Sequence, residues 1–473
     1  MRQTAEHASD LYGRFTPLVR ILLWHGYLLT GSGSNLYTAN LARVWRRQGH
    51  DVLLMCQESA VDEVDFIDEF GDFSEDNSTY GLTPTGAPRG EGRCRLARPN
   101  IGSVLPVYVF DEYEGFTAKT YVDLTEEELA FYTEANIRAM VTAIRRHEPD
   151  AIVTGHEVMG PYIALQACRS TGTKYLAKLH GSALEYAVKK QDRYLPYARD
   201  GLCGAKVVTG GSNYMLQAAL EVVPGWADRA AVVNPGCDAD LFWPREKNNE
   251  VPVVGYVGKF IAAKGVHNFL AALGEAATDP LRAVLVGYGG FEAELKQLRA
   301  DLVAGDVDAV RRVAQGEGGV VLPHLLEWVG RADVTPDRLA RAAQVDVQWP
   351  GRLDHGPLSQ VLPTFDALVV PSVVPEAFGM VAAEAAASGV LPIVPRHSGI
   401  GEVGAALEAE LARPGLLTFD PNDPISGIAT TIDRVLALPR AERAELELAA
   451  SAFARSTWSW ERVAGRMLDL AAN

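Results

Sequence analysis

Cysteine is scarce in this chain and never paired in sequence. Its five cysteines, Cys56, Cys94, Cys168, Cys203 and Cys237, are scattered, odd in number and form no C-x-x-C pair. That pattern argues against a disulfide framework or a thiolate zinc site and reads as reduced thiols. Histidine offers no metal signature either. His147-Glu148 and His156-Glu157 lack ligand spacing, and no H-E-x-x-H occurs, so no bound metal is expected. No apolar run approaches the roughly 20 residues that span a bilayer, so no transmembrane segment is expected. The opening "MRQTAEHASDLYGRF" has no charged-then-apolar leader pattern, and a cytoplasmic location is expected. Positive charge is in deficit too: 44 Lys and Arg face 60 Asp and Glu, for a net charge of −16 in 473 residues. Such a surface repels nucleic acid and anionic membrane, so neither is an expected partner unless a local basic patch overrides the average.

What the chain does have is alternation. "VRILLW", "DVLLMC", "AIVTG", "KYLAKLH" and "AKVVTGG" are short apolar runs, each followed by helix or turn signals. In "NLYTANLARVWRRQG", Tyr37, Leu41, Val44 and Trp45 fall on one helical face. A second series, "VVGYVG", "RAVLVGYGG", "DVQWPG", "ALVVPS" and "VLPIVP", follows the polar stretch 241–252. Continuous apolar strands between helices imply parallel sheets covered on both faces. The expected fold is α/β, with two Rossmann-like doubly wound domains facing a central cleft, at 1–243 and 251–455. Residues 60–125, acidic and then rich in turn formers, interrupt the rhythm and read as a long loop, either gating a substrate or lying on the surface. Residues 293–345 read as mostly helical, broken at "GEGGV".

The stretch "PEAFGMVAAEAAASG" carries the most chemistry. Gly379 opens a helix directly after a strand, and a helix start offers unpaired amides and positive dipole to a phosphate. Glu384 lies five residues on, about 7.5 Å along the axis, a distance suited to a ribose joined to that phosphate. Glu376 sits in the loop before the helix, where a sugar beyond the diphosphate would lie. Taken alone, the stretch is also compatible with a capped loop whose carboxylates are solvated or paired with arginine. Lys259 and Lys264 in "VGYVGKFIAAKG" follow a strand and suit a diphosphate leaving group, although two solvated lysines would read the same way. Gly31 and Gly33 precede the first helix in an incomplete G-x-G-x-x-G, and Glu58 lies roughly where a dinucleotide fold keeps its ribose acid. An NAD-dependent oxidoreductase is the weak alternative that these glycines leave open. His156 and His180 end strands and could meet hydroxyls or aid proton movement, although a plain loop histidine is the default reading of each. "CDAD" has the D-x-D form of metal-dependent sugar transferases but follows a turn.

In the order of these pieces the sequence resembles glycosyltransferase family 4, retaining transferases of GT-B fold. The resemblance runs through "GHDV", "TGHE", "KLHG", "VVNPGCDADLFWP", "VGYVGKF", "LVGYGG" and the E-x7-E signature at Glu376 and Glu384. It implies transfer of a sugar, most often a hexose, from a nucleoside-diphosphate sugar to a hydroxyl of a small-molecule or glycan acceptor. It implies no cofactor beyond that co-substrate, no metal, and a front-face mechanism. By position, Glu384 would hold the ribose and Glu376 the donor sugar. The amides of Gly379, Met380 and Val381 would take the distal phosphate, and Lys259 and Lys264 the diphosphate. Gly31 and Gly33 would belong to the loop closing on the phosphates, His180 would lie near the donor sugar, and Gly351 and Arg352 near the base. The closing helix, within 456–473, would return to the N-terminal domain. Lys259 stands where the family usually has arginine, and Pro235 where asparagine-glycine is more usual. A nucleotide-sugar epimerase or a phosphorylase on the same architecture is the other alternative.

Overall fold

A computed structural model describes residues 18–86, 91–110, 113, 115–317 and 319–472. The leader reading of residues 1–15 lies outside the described residues, as does part of the turn-rich segment near 87–90. The chain divides into two compact units. The first gathers the described residues up to Thr209 with Ala219–Ala231 and the stretch from Arg466; the second holds Gly210–Ala218 and Val232–Gly465.

The first unit begins with β1 (Arg20–Trp24), α1 (Gly33–Arg47) and β2 (Asp51–Met55). Both strands are buried on both faces after their first residue, as a covered parallel sheet requires. Ser32 caps α1 by accepting from the Asn35 amide at 3.3 Å, and Tyr37, Leu41, Val44 and Trp45 are all buried. Next come β3 (Glu69–Asp72), β4 (Thr83–Pro84), β5 (Arg93–Arg98), β6 (Val104–Val107) and β7 (Thr117–Thr120). The unit continues with α2 (Glu126–His147), β8 (Ala151–Gly155), α3 (Gly160–Thr171), β9 (Leu176–Lys178), α4 (Leu195–Gly204) and β10 (Val207–Gly210). It is completed by α5 (Asn213–Val222), whose first residues belong to the second unit, and β11 (Ala230–Val232). The nine-stranded sheet has the order β11-β10-β9-β8-β1-β2-β5-β3-β4.

The expectation of one long loop at 60–125 is therefore corrected. Strand β5 pairs in parallel with β2 and β3, extending the sheet, while β6 and β7 form a small ribbon. The acidic residues that masked this are structural: Asp68 accepts from Arg46 Nε and Nη2 at 2.8 and 2.7 Å and from the Cys94 amide at 2.7 Å. Charge pairing fastens this edge where apolar periodicity is weak.

The second unit runs β12 (Val253–Lys259), α6 (Val266–Glu275), β13 (Leu281–Tyr288), then α7 (Glu292–Ala304), α8 (Val307–Ala314), α9 (Pro323–Val329) and α10 (Pro336–Ala340). The four helices occupy the segment expected to be helical. β14 (Val345–Gly351), α11 (His355–Val361), β15 (Ala367–Val369), α12 (Met380–Ala387) and β16 (Leu391–Pro395) follow. The chain then forms α13 (Ser398–Glu410), β17 (Thr418–Phe419), α14 (Pro424–Leu436), α15 (Arg440–Thr457) and α16 (Trp460–Ala472). The sheet is parallel, ordered β14-β13-β12-β15-β16-β17. That order reverses direction between β12 and β15, and in doubly wound sheets ligands sit beyond the strand ends at such a switch point. In the first sheet the reversal falls between β1 and β8.

Candidate functional site

At the switch point of the second unit, β12 ends at Lys259 and a 3-10 turn, Ala262–Lys264, leads to Gly265. Gly265 has φ +69°, and a Cβ there would lie 1.9 Å from the Pro371 carbonyl oxygen. Only glycine permits both the left-handed backbone and this approach. The Val373 amide bonds the Ala263 carbonyl at 3.1 Å across the same contact. The approach delivers Lys264 to Glu376, with Nζ 2.5 Å from Oε1. The Ser372 hydroxyl donates to the same oxygen. The Glu376 backbone is fixed from the start of α13: its amide donates to Ser398 Oγ at 3.0 Å, and its carbonyl accepts from the Gly399 amide at 2.9 Å. His397 links Ser398 Oγ and the Ser372 carbonyl at 3.0 and 3.1 Å. The Glu376 carboxyl group therefore stands beside an ammonium that has two donors left for another ligand.

Three residues after Glu376 the chain turns into α12 through Gly379, at φ +102°, where a Cβ would meet Ile400 at 2.9 Å. No side chain caps the helix, so the amides of Met380 and Val381 carry the unspent donor capacity of its first turn. The helix can lie deep because its inner residues are alanines: Ala382, Ala383, Ala385, Ala386 and Ala387 are fully buried. Glu384 is the exception among them and is only 6 % exposed. Burial pushes its carboxyl up to about 7, while His355 acts to lower it and Asp238 to raise it. His355 Nε2 lies 3.6 Å from Glu384 Oε1. Burial, with Glu384 and Asp238 adding to it, also pushes the Cys237 thiol up to about 12.

Lys259 is exposed at the end of β12, opposite Tyr288 in register, and among the described residues its ammonium makes no ion pair. The Tyr256 hydroxyl donates to the Lys259 carbonyl at 2.8 Å. Gly351 ends β14 at φ +81°. Arg352 bonds Asp354 Oδ1 at 3.2 and 3.0 Å and lies over the exposed Tyr288 ring at 5.2 Å. Thus Lys264, Glu376 and the helix start at Gly379 come together, Glu384 lies one turn inside that helix, and Lys259 and Arg352 stand at the ends of β12 and β14, the two strands that flank β13.

In the first unit, Gly31 adopts φ +90° and Gly33 opens α1. Asn35 on that helix bonds His25 Nε2 at 2.9 Å. The rings of His25 and His156 lie 5.6 Å apart, those of His156 and His180 4.5 Å apart, and Tyr37 meets His180 edge-on at 5.3 Å. All three imidazoles are held neutral. Burial is the main cause, lowering His25 to about 4 and the other two well below their ordinary value. Burial also raises Glu157 to about 7 and lowers Lys178 to about 7. Glu157 Oε1 accepts from the Gly181 amide at 2.7 Å, which fixes the turn after His180. Neutral imidazoles at strand ends can both donate to and accept from hydroxyls.

Several site features escaped the sequence reading: His355, Ser372, His397, Ser398 and Glu157. Their common signal is a polar residue just beyond a strand, as in "PS" and "RHSG"; nothing in spacing joins His355 to Glu384. Glu58 proves structural, since its oxygens accept from the amides of Leu29, Ser59 and Ala60 at 3.0, 3.0 and 2.9 Å. Asp238 in "CDAD" caps its own turn, accepting from the amides of Asp240 and Leu241 at 3.0 Å each. Among the described residues no group of three or more His, Cys, Asp or Glu could hold a metal ion. None of their helices is long and apolar enough to cross a membrane.

Residues 32–236 match the family described as "Glycosyl transferase 4-like domain", and residues 333–452 match "Glycosyl transferases group 1". No curated protein matches the chain in sequence. Among solved structures, the chain is similar to sucrose-phosphate synthase from Thermosynechococcus elongatus, at 19 % identity and TM-score 0.59 over 95 % of this chain and 97 % of that one. It is similar to HepE of Anabaena in complex with UDP and glucose, at 16 % identity and TM-score 0.57 over 95 % and 98 %. A glycosyltransferase from Rickettsia africae matches at 15 % identity and TM-score 0.59 over 96 % and 98 %. At such identities the likeness speaks for the fold, which is GT-B with two Rossmann-like sheets, the second parallel and the first parallel but for the β3–β4 edge. With the two family matches taking in most of its length, the chain belongs to the group 1 glycosyltransferases, GT4-like enzymes that transfer glycosyl groups.

Proposed function

We propose that this glycosyltransferase is retaining and metal-independent, and that it moves a hexosyl group from a nucleoside-diphosphate sugar to a hydroxyl-bearing acceptor. The observation that carries the reading is the Lys264–Glu376 pair at the switch point, three residues before the uncapped start of α12. A diphosphate over Gly379, Met380 and Val381 would meet open amides, with Lys264 and Lys259 supplying charge as the leaving group departs. Glu376 would accept from donor-sugar hydroxyls, Glu384 from the ribose diol, and Gly351 and Arg352 would border the base. HepE has been solved with UDP and with UDP-glucose, which supports a uridine-type donor for this chain. We assign the acceptor to the first unit, with His180 offering a neutral imidazole to hydroxyls and the loop at Gly31 and Gly33 serving the phosphates. Expected domain limits are 1–243 and 251–455, and the expected location is cytoplasmic.

The chemistry proposed is a front-face displacement. The bond from the anomeric carbon to the phosphate oxygen breaks, the acceptor oxygen bonds the same face, and the acceptor proton passes to the departing phosphate. Family membership removes the oxidoreductase alternative. Incubating donor sugars with and without candidate acceptors, and reading products by NMR, tests the rest. Glycoside of the donor's own anomeric configuration, formed only with acceptor, is the expected result. Inversion would overturn the mechanism, and a donor sugar rearranged without acceptor would favour an epimerase. Activity is expected to persist in excess EDTA; loss that a divalent ion restores would refute metal independence.

A further inference from the structure

Glu384 poses a problem that its own helix does not solve. A carboxylate enclosed by apolar surroundings favours its neutral form unless charge or hydrogen bonds hold it ionised. Among the described residues, no hydrogen bond reaches its oxygens. Every other inward residue of α12 is alanine. The loop at 237–240 presents Cys237 and Asp238, and Asp238 opposes ionisation. From α15, which packs on α12, the nearby charge is Arg455, which acts on Cys237 and bonds the Phe242 carbonyl at 3.2 Å. Among the described residues, only the first residue of α11 can bring positive charge to Glu384 itself: His355, with Nε2 at 3.6 Å and its ring edge-on to Phe242 at 5.7 Å. The neighbouring Asp354 is occupied by Arg352.

We propose that His355 is a positioning residue for the nucleotide, whose imidazolium keeps the Glu384 carboxylate ionised and oriented toward the ribose diol, so that donor affinity responds to pH. This rests on the reading of Glu384 as the ribose clamp. A lysine or arginine at 355 would hold the carboxylate charged at any physiological pH; histidine makes the hold conditional. Its side chain is 42 % exposed to solvent while Glu384 stays enclosed. The two ionisations favour each other: losing His355 leaves Glu384 protonated over a wider range, and affinity for the diol falls at neutral and mildly acid pH.

The test is a titration of UDP, GDP, ADP and CDP by calorimetry, with the tightest of the four carried through a pH series on the wild type and on His355→Gln, His355→Lys and Glu384→Gln. Wild-type affinity should rise with pH through a midpoint. In His355→Gln that midpoint should move up by roughly one unit or more, weakening binding about tenfold below it, with the curves converging at alkaline pH. His355→Lys should restore binding below the midpoint, which also guards against a merely damaged fold. Glu384→Gln should bind weakly and flatten the profile. An unchanged midpoint in His355→Gln beside a weakened Glu384→Gln would overturn the role of His355 alone. Full affinity in Glu384→Gln, or no binding by any of the four, would overturn the clamp and this proposal with it.

Discussion

Lys264 and Glu376 neutralise each other at 2.5 Å, half-buried, with Ser372 sharing the carboxylate. The pairing sets the sign of two expected outcomes. Glu376→Gln leaves Lys264 with an uncompensated charge, so nucleoside-diphosphate affinity should hold or rise while turnover drops. Lys264→Met does the reverse to the anion: the diphosphate loses an ammonium, and both affinity and turnover fall, with turnover down by roughly 10²–10³-fold. Separate binding and single-turnover measurements on the two variants check the split. Equal losses of affinity in both would mean that the pair serves only to hold the loop.

At the scale of elements, the site depends on a glycine that lets two backbones touch. Gly265→Ala would drive a methyl group to within 1.9 Å of the Pro371 carbonyl from a left-handed backbone. A loss of at least about 1–2 kcal/mol is expected from the backbone conformation alone, read as a lower urea midpoint, along with a displaced Lys264. The strand–helix alternation, the glycine-opened α12 and the spacing of Glu376 and Glu384 were legible in the sequence because they repeat or lie close along the chain. β5 was not: Cys94, Leu96 and Ala97 are buried, but arginines at 93, 95 and 98 intervene, and Asp51 rather than an apolar neighbour receives Arg95. His355 and Glu384 were not joined either. They stand on different strand–helix repeats, and periodicity within one repeat says nothing about which side chains meet across two. The His397 and Ser398 bonds around Glu376 were hidden for the same reason.

Across the whole molecule, each unit carries a buried histidine and a buried carboxyl that pull stability in opposite directions. In the first, His25 is lowered to about 4 and Glu157 raised to about 7; in the second, His267 is lowered to about 3 and Glu384 raised to about 7. A lowered histidine costs stability as pH falls from about 6.5 towards its folded value, because the unfolded chain takes the proton first. A raised carboxyl does the opposite between about 7 and 4.5, where the folded chain is the one protonated. With His156 and His180 lowered as well, the carboxyls offset only part of the histidine loss in mildly acid solution. Below about pH 4.5 the carboxyl gain has ended while the histidine loss runs on to each ring's folded value, less than about 1 kcal/mol more for His25 and about 2 kcal/mol more for His267. Urea midpoints measured from pH 8 to 3.5 should fall as pH drops, more steeply below about 4.5 than above it; a midpoint that holds constant between pH 7 and 4.5 would contradict this balance. The way the units are assembled from the chain has a further consequence. The first needs Arg466 onward, where Lys206 Nζ donates to the Ala471 carbonyl at 2.7 Å and Thr209 meets Met467 Sδ at 3.9 Å. On the ribosome, the half begun first must therefore wait until the second unit has been made, and no single nick can release either half as an intact, independent piece.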